Sequence, residues 1–124
     1  MAARVMIADD SLFMRTLLRR VLSPLAVEIV GEADNGDDAV TGYATLQPDL
    51  LLLDVTMPGV SGIVAAKRIL AEHPDACIII CSALASSDRA RETLQLGVKD
   101  LITKPLGAAD VQTRVRQVLN GKLS

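Results

Sequence analysis

Tryptophan is absent, and Phe13 and Tyr43 are the only aromatic residues in the 124-residue chain. Such a chain has no platform on which bases or single strands can stack. Its basic and acidic residues are interspersed at a net charge of −2, so there is no basic stripe either. Direct nucleic-acid binding is therefore excluded as an expectation. No apolar run approaches the roughly 18 residues that a membrane helix needs. Between Arg4 and the first two aspartates stand only Val5 to Ala8, too few for the apolar core of a signal peptide. A cytoplasmic chain with no membrane partner is expected.

Cysteine is almost as scarce. Cys77 and Cys81 lie four apart in an extended apolar run, which at ~3.3 Å per residue separates them by about 13 Å. A disulfide requires Cα atoms closer than about 7 Å, so these two read as small buried hydrophobes. There is no internal repeat, low-complexity segment or linker, and 124 residues suit one compact domain over residues 1–124.

What is present is an alternation of strand-like and helix-like stretches. Arg4 to Ala8 reads as a short strand, and Ser11 to Leu22 as a helix with Met14, Leu17, Leu18, Val21 and Leu22 on one face, stopped by Pro24. Val27 to Ala33 alternates like a half-exposed edge strand. Asp34-Asn35-Gly36 signals a turn, and Asp37 to Leu46 a helix with Ala39, Val40 and Tyr43 inward. Leu50 to Leu53 is unbroken leucine, as in a central strand covered on both faces. Ser61 caps a helix to about Glu72, and Ala76 to Cys81 is a second doubly covered strand. Ser87 to Leu96 reads as a helix closed by Gly97, Val98 to Ile102 as a weak strand, and Ala108 to Leu119 as the last helix. Its buried side would carry Val111, Val115, Val118 and Leu119. This order predicts an α/β fold with a parallel sheet and helices on both faces.

The residues that bear chemistry stand at the ends of these strands. Asp9-Asp10 follows the first, Asp54 the leucine run, Ser82 the isoleucine run and Lys104 the last. In an open α/β sheet the carboxyl ends of the strands share one edge, where sites form. Adjacent carboxylates repel unless neutralised, and a hard divalent cation such as Mg²⁺ does this with one or two carboxylates plus other oxygens. The alternative is that Asp10 or Ser11 caps the next helix. Asp54 suits a nucleophile that attacks phosphorus, or it is a turn aspartate entering the loop Val55-Thr56-Met57-Pro58-Gly59. Ser82 can donate to a phosphoryl oxygen or cap a turn. Lys104 can pair with phosphoryl charge or remain a solvated cation. The agreement of all these positions at strand ends favours the functional reading.

Asp9-Asp10-Ser11, Asp54-Val55-Thr56-Met57-Pro58-Gly59, Ser82-Ala83 and Lys104-Pro105 together resemble the signature of the response-regulator receiver domain, across essentially the whole chain. Ala8-Asp9-Asp10-Ser11 with Phe13-Met14-Arg15 is most similar to stand-alone chemotaxis receivers of the CheY kind, and no appended domain is expected. The resemblance implies a five-stranded sheet of order 2-1-3-4-5, the flavodoxin-like arrangement. It implies Asp54 as phosphoacceptor, Asp9, Asp10, Asp54 and the Thr56 backbone carbonyl as Mg²⁺ ligands, Ser82 and Lys104 as the phosphoryl grip, and a cis Lys104-Pro105 peptide. A histidine kinase or phosphotransfer domain would be the donor. A flagellar motor or other protein target would read the Ser87–Leu119 face of a monomer that catalyses only its own phosphorylation and dephosphorylation.

Leu101 and Leu106 depart from the pattern, which usually has aromatic residues there, so signalling by rotation of a ring is not expected. Leu84, two past Ser82, is apolar and predicts slow self-dephosphorylation through exclusion of water. The single histidine, His73, reads as a solvated helix-terminal residue. Arg15, Arg19 and Arg20 read as a solvated face, and Asp34, Asp37 and Asp38 as a turn opening a helix. One rival is a phosphate sink or a receiver module of a larger regulator. A weaker rival is a phosphatase of the haloacid-dehalogenase type, which needs a second aspartate two past the nucleophile, where this chain has Thr56.

Overall fold

The computed structural model describes residues 2–57, 59–83 and 92–123, with residues 122 and 123 described by backbone alone. Five parallel strands form one sheet in the order β2-β1-β3-β4-β5: β1 Ala3–Ala8, β2 Val27–Ala33, β3 Leu50–Asp54, β4 Ile78–Ser82 and β5 Asp100–Thr103. Between and after them run α1 Leu12–Leu22, α2 Gly36–Leu46, α3 Gly62–Glu72 and α4 Ala108–Leu123. Residues 92–95 are also helical and lead to Gly97, whose φ of 104° is the left-handed conformation expected of a glycine closing a helix. The rest of the helix read over Ser87 to Leu96, with Leu84, lies outside the described residues.

The unbroken apolar strands are explained by cover on both faces. Successive strand residues point to opposite sides. Leu51, Leu53, Ile78 and Ile80 pack with Ala39 and Tyr43 of α2 and Ala65, Ala66 and Ile69 of α3. Leu50, Leu52, Ile79 and Cys81 pack on the other side with Leu18 and Leu22 of α1 and Val111 and Val115 of α4. All four residues from Leu50 to Leu53 are buried, so β3 is the rigid centre of the sheet, and Asp54 is its last residue.

Local signals set the helix starts. The side chains of Ser11, Asn35 and Ser61 accept hydrogen bonds from the backbone N–H groups of Met14, Asp38 and Val64, as N-caps do. Asn35 therefore caps α2, and the expected turn glycine, Gly36, is the first residue of the helix. Strand β4 runs two residues later than read, from Ile78, so that Cys77 precedes it and Ser82 ends it. Both cysteines are buried free thiols, and burial pushes that of Cys81 up to about 12.

His73 stands at a helix end as expected, but it is half-buried and not solvated. It caps the C-terminus of α3 with its ring 5.1 Å from that of Tyr43, and its Nε2 is buried with no partner among the described residues. Two rings meeting under the end of α3 withdraw this edge of the imidazole from water. No helix among the described residues is long and apolar enough to cross a membrane.

Candidate functional site

The register of the sheet brings the chemistry together. Strands β1 and β3 pair from Val5–Leu50 to Ala8–Leu53, so Asp9 and Asp54 emerge side by side. Strands β3 and β4 pair through Asp54–Cys81, and β4 and β5 through Ser82–Thr103, which places Ser82 and Lys104 at the same edge. Asp9, Asp10 and Asp54 each offer a carboxylate oxygen, and these atoms lie within 4.8 Å of one another. Asp9 and Asp54 are buried, at 2% and 5% exposed, while Asp10 faces solvent.

Lys104 spans the carboxylates. Its Nζ donates to Asp54 Oδ1 at 3.2 Å and to Asp9 Oδ2 at 3.3 Å. Its own backbone N–H donates to the Ser82 carbonyl at 2.7 Å, tying the end of β4 to the residue after β5. The peptide from Lys104 to Pro105 is cis, as the resemblance implied. Ser82 is 2% exposed. Thr56 is exposed, and its backbone N–H favours the charged form of the Asp54 carboxylate.

Three carboxylates against one ammonium leave the cluster short of positive charge. Burial raises the Asp54 carboxyl above its ordinary value and Asp9 raises it further; Lys104 and the Thr56 N–H oppose this without cancelling it. Burial pulls the Lys104 ammonium down, but Asp54 and Asp9 outweigh it and hold the group above its usual value. A divalent cation seated among oxygen ligands would relieve that imbalance, so the donor set fits a hard cation.

Capping does not explain the acidic pair. Ser11 caps α1 through its own hydroxyl, and the Ser11 N–H donates back to Asp9 Oδ1 at 2.9 Å. Asp10 is exposed, keeps a carboxylate oxygen within 4.8 Å of the buried pair, and caps no helix among the described residues.

Two features escaped the reading of the sequence. Gly62, at the start of α3, lies where a Cβ would sit 1.9 Å from the Asp54 carbonyl oxygen, and its N–H donates to the Val55 carbonyl at 2.8 Å. Only a residue without a side chain lets α3 begin against the backbone that carries Asp54. Its place eight residues after Asp54 was the available signal. The second is Arg15, which is not part of a solvated face. It pairs with Glu32, as does Arg19, and its Nη1 donates to the Asp9 carbonyl at 2.7 Å. Nothing local in the sequence pairs α1 with β2.

A five-stranded sheet of this order, with an acidic cage and a lysine at its carboxyl edge, defines a class of signal-receiving domain. Residues 5–116 match the response regulator receiver domain, and the chain belongs to that family, the receivers of two-component response regulators. The chemotaxis protein CheY of Thermotoga maritima is 40% identical over 118 residues, covering 95% of this chain and 98% of that protein. CheY of Bacillus subtilis is 40% identical over 120 residues, covering 97% and 100%. Among solved structures, a chain of the CheX–CheY–BeF3–Mg²⁺ complex from Borrelia burgdorferi superposes with a TM-score of 0.91 at 33% identity, covering 94% of this chain and 88% of that one. The response regulator domain of Thermotoga maritima CheB gives 0.89 at 32% identity, with 97% and 98% covered.

Proposed function

We propose that this chain is a phosphorylatable switch of a chemotaxis-type two-component system, working in the cytoplasm, in which Asp54 takes a phosphoryl group from a phosphohistidine. The observation that carries this reading is the bridge from Lys104 to Asp54 and Asp9 inside a cage of three carboxylates. Asp9, Asp10, Asp54 and the backbone carbonyl of Thr56 are the residues that would hold Mg²⁺. When bound, that ion neutralises charge on the carboxylates and on the incoming phosphoryl oxygens.

The chain's own residues do the rest. Asp54, fixed at the tip of a rigid strand, attacks phosphorus in line with the departing imidazole. The P–O bond forms as the P–N bond breaks, and the imidazole nitrogen keeps the electron pair and takes up a proton. Lys104 exchanges its carboxylate partners for a phosphoryl oxygen, and the Ser82 hydroxyl donates to another. Ser82 ends β4, Lys104 follows β5 and the two meet at the Ser82 carbonyl, so their movement is passed to the Ser87–Leu119 face, where a protein target such as the flagellar motor would bind. This is a local charge change that biases a two-state element, and the chain turns over no separate substrate.

Leu12 and Phe13, 67% and 74% exposed at the start of α1, suit docking of the donor, a histidine kinase or phosphotransfer domain, next to the site. Leu101 is half-buried against the apolar cluster on the α2 and α3 side, so readout is by shifts of the backbone and aliphatic packing, with no ring to rotate.

Intact mass after incubation with acetyl phosphate tests the reading. One Mg²⁺-dependent phosphoryl group is expected on the wild type and none on Asp54→Asn. Labelling of the variant at one equivalent would defeat the assignment of Asp54. A wild type that neither labels nor binds beryllofluoride would make the domain an interaction module.

A further inference from the structure

The Asp9 carbonyl belongs to the peptide that joins Asp9 to Asp10, so its direction sets where the Asp10 side chain leaves the backbone. That carbonyl accepts from Arg15 Nη1 at 2.7 Å. On the other side of the residue, the Asp9 N–H donates to the Ala33 carbonyl at 3.0 Å. Arg15 is itself held: its Nε donates to Glu32 Oε1 at 2.7 Å, and Arg19 occupies the other Glu32 oxygen. Glu32 lies beside the end of β1, in register with Ile7, and the Arg15 side chain is only 16% exposed. A planar guanidinium with several fixed donors can hold a carboxylate and a carbonyl together, which a single ammonium cannot do.

We propose that Arg15, braced by Glu32, is a positioning residue for the divalent cation: it fixes the Asp9–Asp10 peptide so that both carboxylates face the same point. The inference rests on the metal reading above and deepens it. Arg15 touches neither carboxylate through a charged contact among the described residues, so it acts through geometry. This gives the proposal a sign that charge alone reverses. Removing a cation near an acidic cluster strengthens binding of Mg²⁺ on electrostatic grounds. Removing the residue that orients the ligands weakens it, typically by about 10-fold or more for supporting residues of this kind.

The experiment is calorimetric titration of the full chain with MgCl₂ at fixed ionic strength, for the wild type, Arg15→Ala, Arg15→Lys and Arg19→Ala. Arg19→Ala removes the same charge from the same Glu32, and Arg19 makes no hydrogen bond or ion pair with Asp9 among the described residues. Arg15→Ala is expected to bind Mg²⁺ about 10-fold more weakly. Arg15→Lys should fall between it and the wild type, and Arg19→Ala should match the wild type or bind slightly more tightly. A purely structural role would lower the melting temperature of the Mg²⁺-free protein and leave Mg²⁺ affinity alone. Unchanged or tighter binding by Arg15→Ala overturns the inference while leaving the metal site standing. If Arg15→Ala does not fold, Arg15→Lys carries the test, and wild-type affinity in it has the same meaning. A wild type that binds no Mg²⁺ would overturn the metal reading and this inference together.

Discussion

Asp54→Asn should stabilise the protein in the absence of divalent cations, although it removes the proposed phosphoacceptor. Asp54 is a buried carboxylate with two others within 4.8 Å and one ammonium at 3.2 Å. At an effective dielectric constant of 20, each carboxylate pair at that separation repels by roughly 3 kcal/mol, and the Lys104 pair attracts by about 5 kcal/mol. Asp10 is exposed and water screens part of its share, which lowers the summed repulsion from roughly 6 kcal/mol toward the attraction, so the two nearly cancel. Burial of the charge then decides the sign, in agreement with a carboxyl raised above its ordinary value. Asparagine keeps the shape and the acceptor for Lys104, and removing a buried charge that its partners do not fully compensate should yield about 1–2 kcal/mol. At ~2.1 cal/mol/K of unfolding entropy per residue, that raises the melting temperature by about 4–8 °C.

The assay is thermal unfolding followed by circular dichroism in a chelating buffer, wild type against Asp54→Asn, between pH 4 and pH 8. A raised folded-state value means that the wild type loses stability as pH climbs from the ordinary 3.8 through the folded value. The advantage of the variant should therefore be complete at pH 8 and shrink toward pH 4. Excess Mg²⁺ should stabilise the wild type more than the variant and narrow the difference. A variant that melts below the wild type in chelator at pH 8, or a difference that ignores pH, would refute the reasoning.

Three other outcomes follow from the same geometry. Lys104→Ala should destabilise the Mg²⁺-free protein by about 2 kcal/mol, less than the 3–5 of a fully buried pair because the lysine side chain is 23% exposed; adding Asp54→Asn should recover part of the loss, and denaturant titration of the two variants reads this directly. Gly62→Ala places a Cβ 1.9 Å from the Asp54 carbonyl oxygen, and should cost about 1–3 kcal/mol and slow acetyl phosphate labelling by displacing Asp54. Burial opposes ionisation of Glu32, but Arg19 and Arg15 prevail and hold it below its ordinary 4.5. Its stabilisation is thus present above 4.5 and lost as pH falls through the folded value, so Glu32→Gln should be less stable at neutral pH, by a difference that disappears in acid melts.

The repeating order of strands and helices, the doubly covered β3 and β4 and the convergence of Asp9, Asp10, Asp54, Ser82 and Lys104 were legible in the sequence by itself. Each rests on a local signal: a run of apolar residues four or five long, a capping serine, a polar residue where the run stops. Parallel strands turn that local signal into a shared edge, which is why Lys104 meets Asp9 across 95 positions of chain. Tertiary structure alone decided the rest. Arg15 reads as one of three surface cations until the pairing of β1 with β2 sets Glu32 beside it. Gly62 reads as an ordinary residue of the helix that Ser61 caps until α3 is laid against the Asp54 carbonyl. His73 reads as solvated until Tyr43 of α2 meets it. In each case the deciding partner lies on another element, and distance between elements is a property of packing that no local pattern encodes.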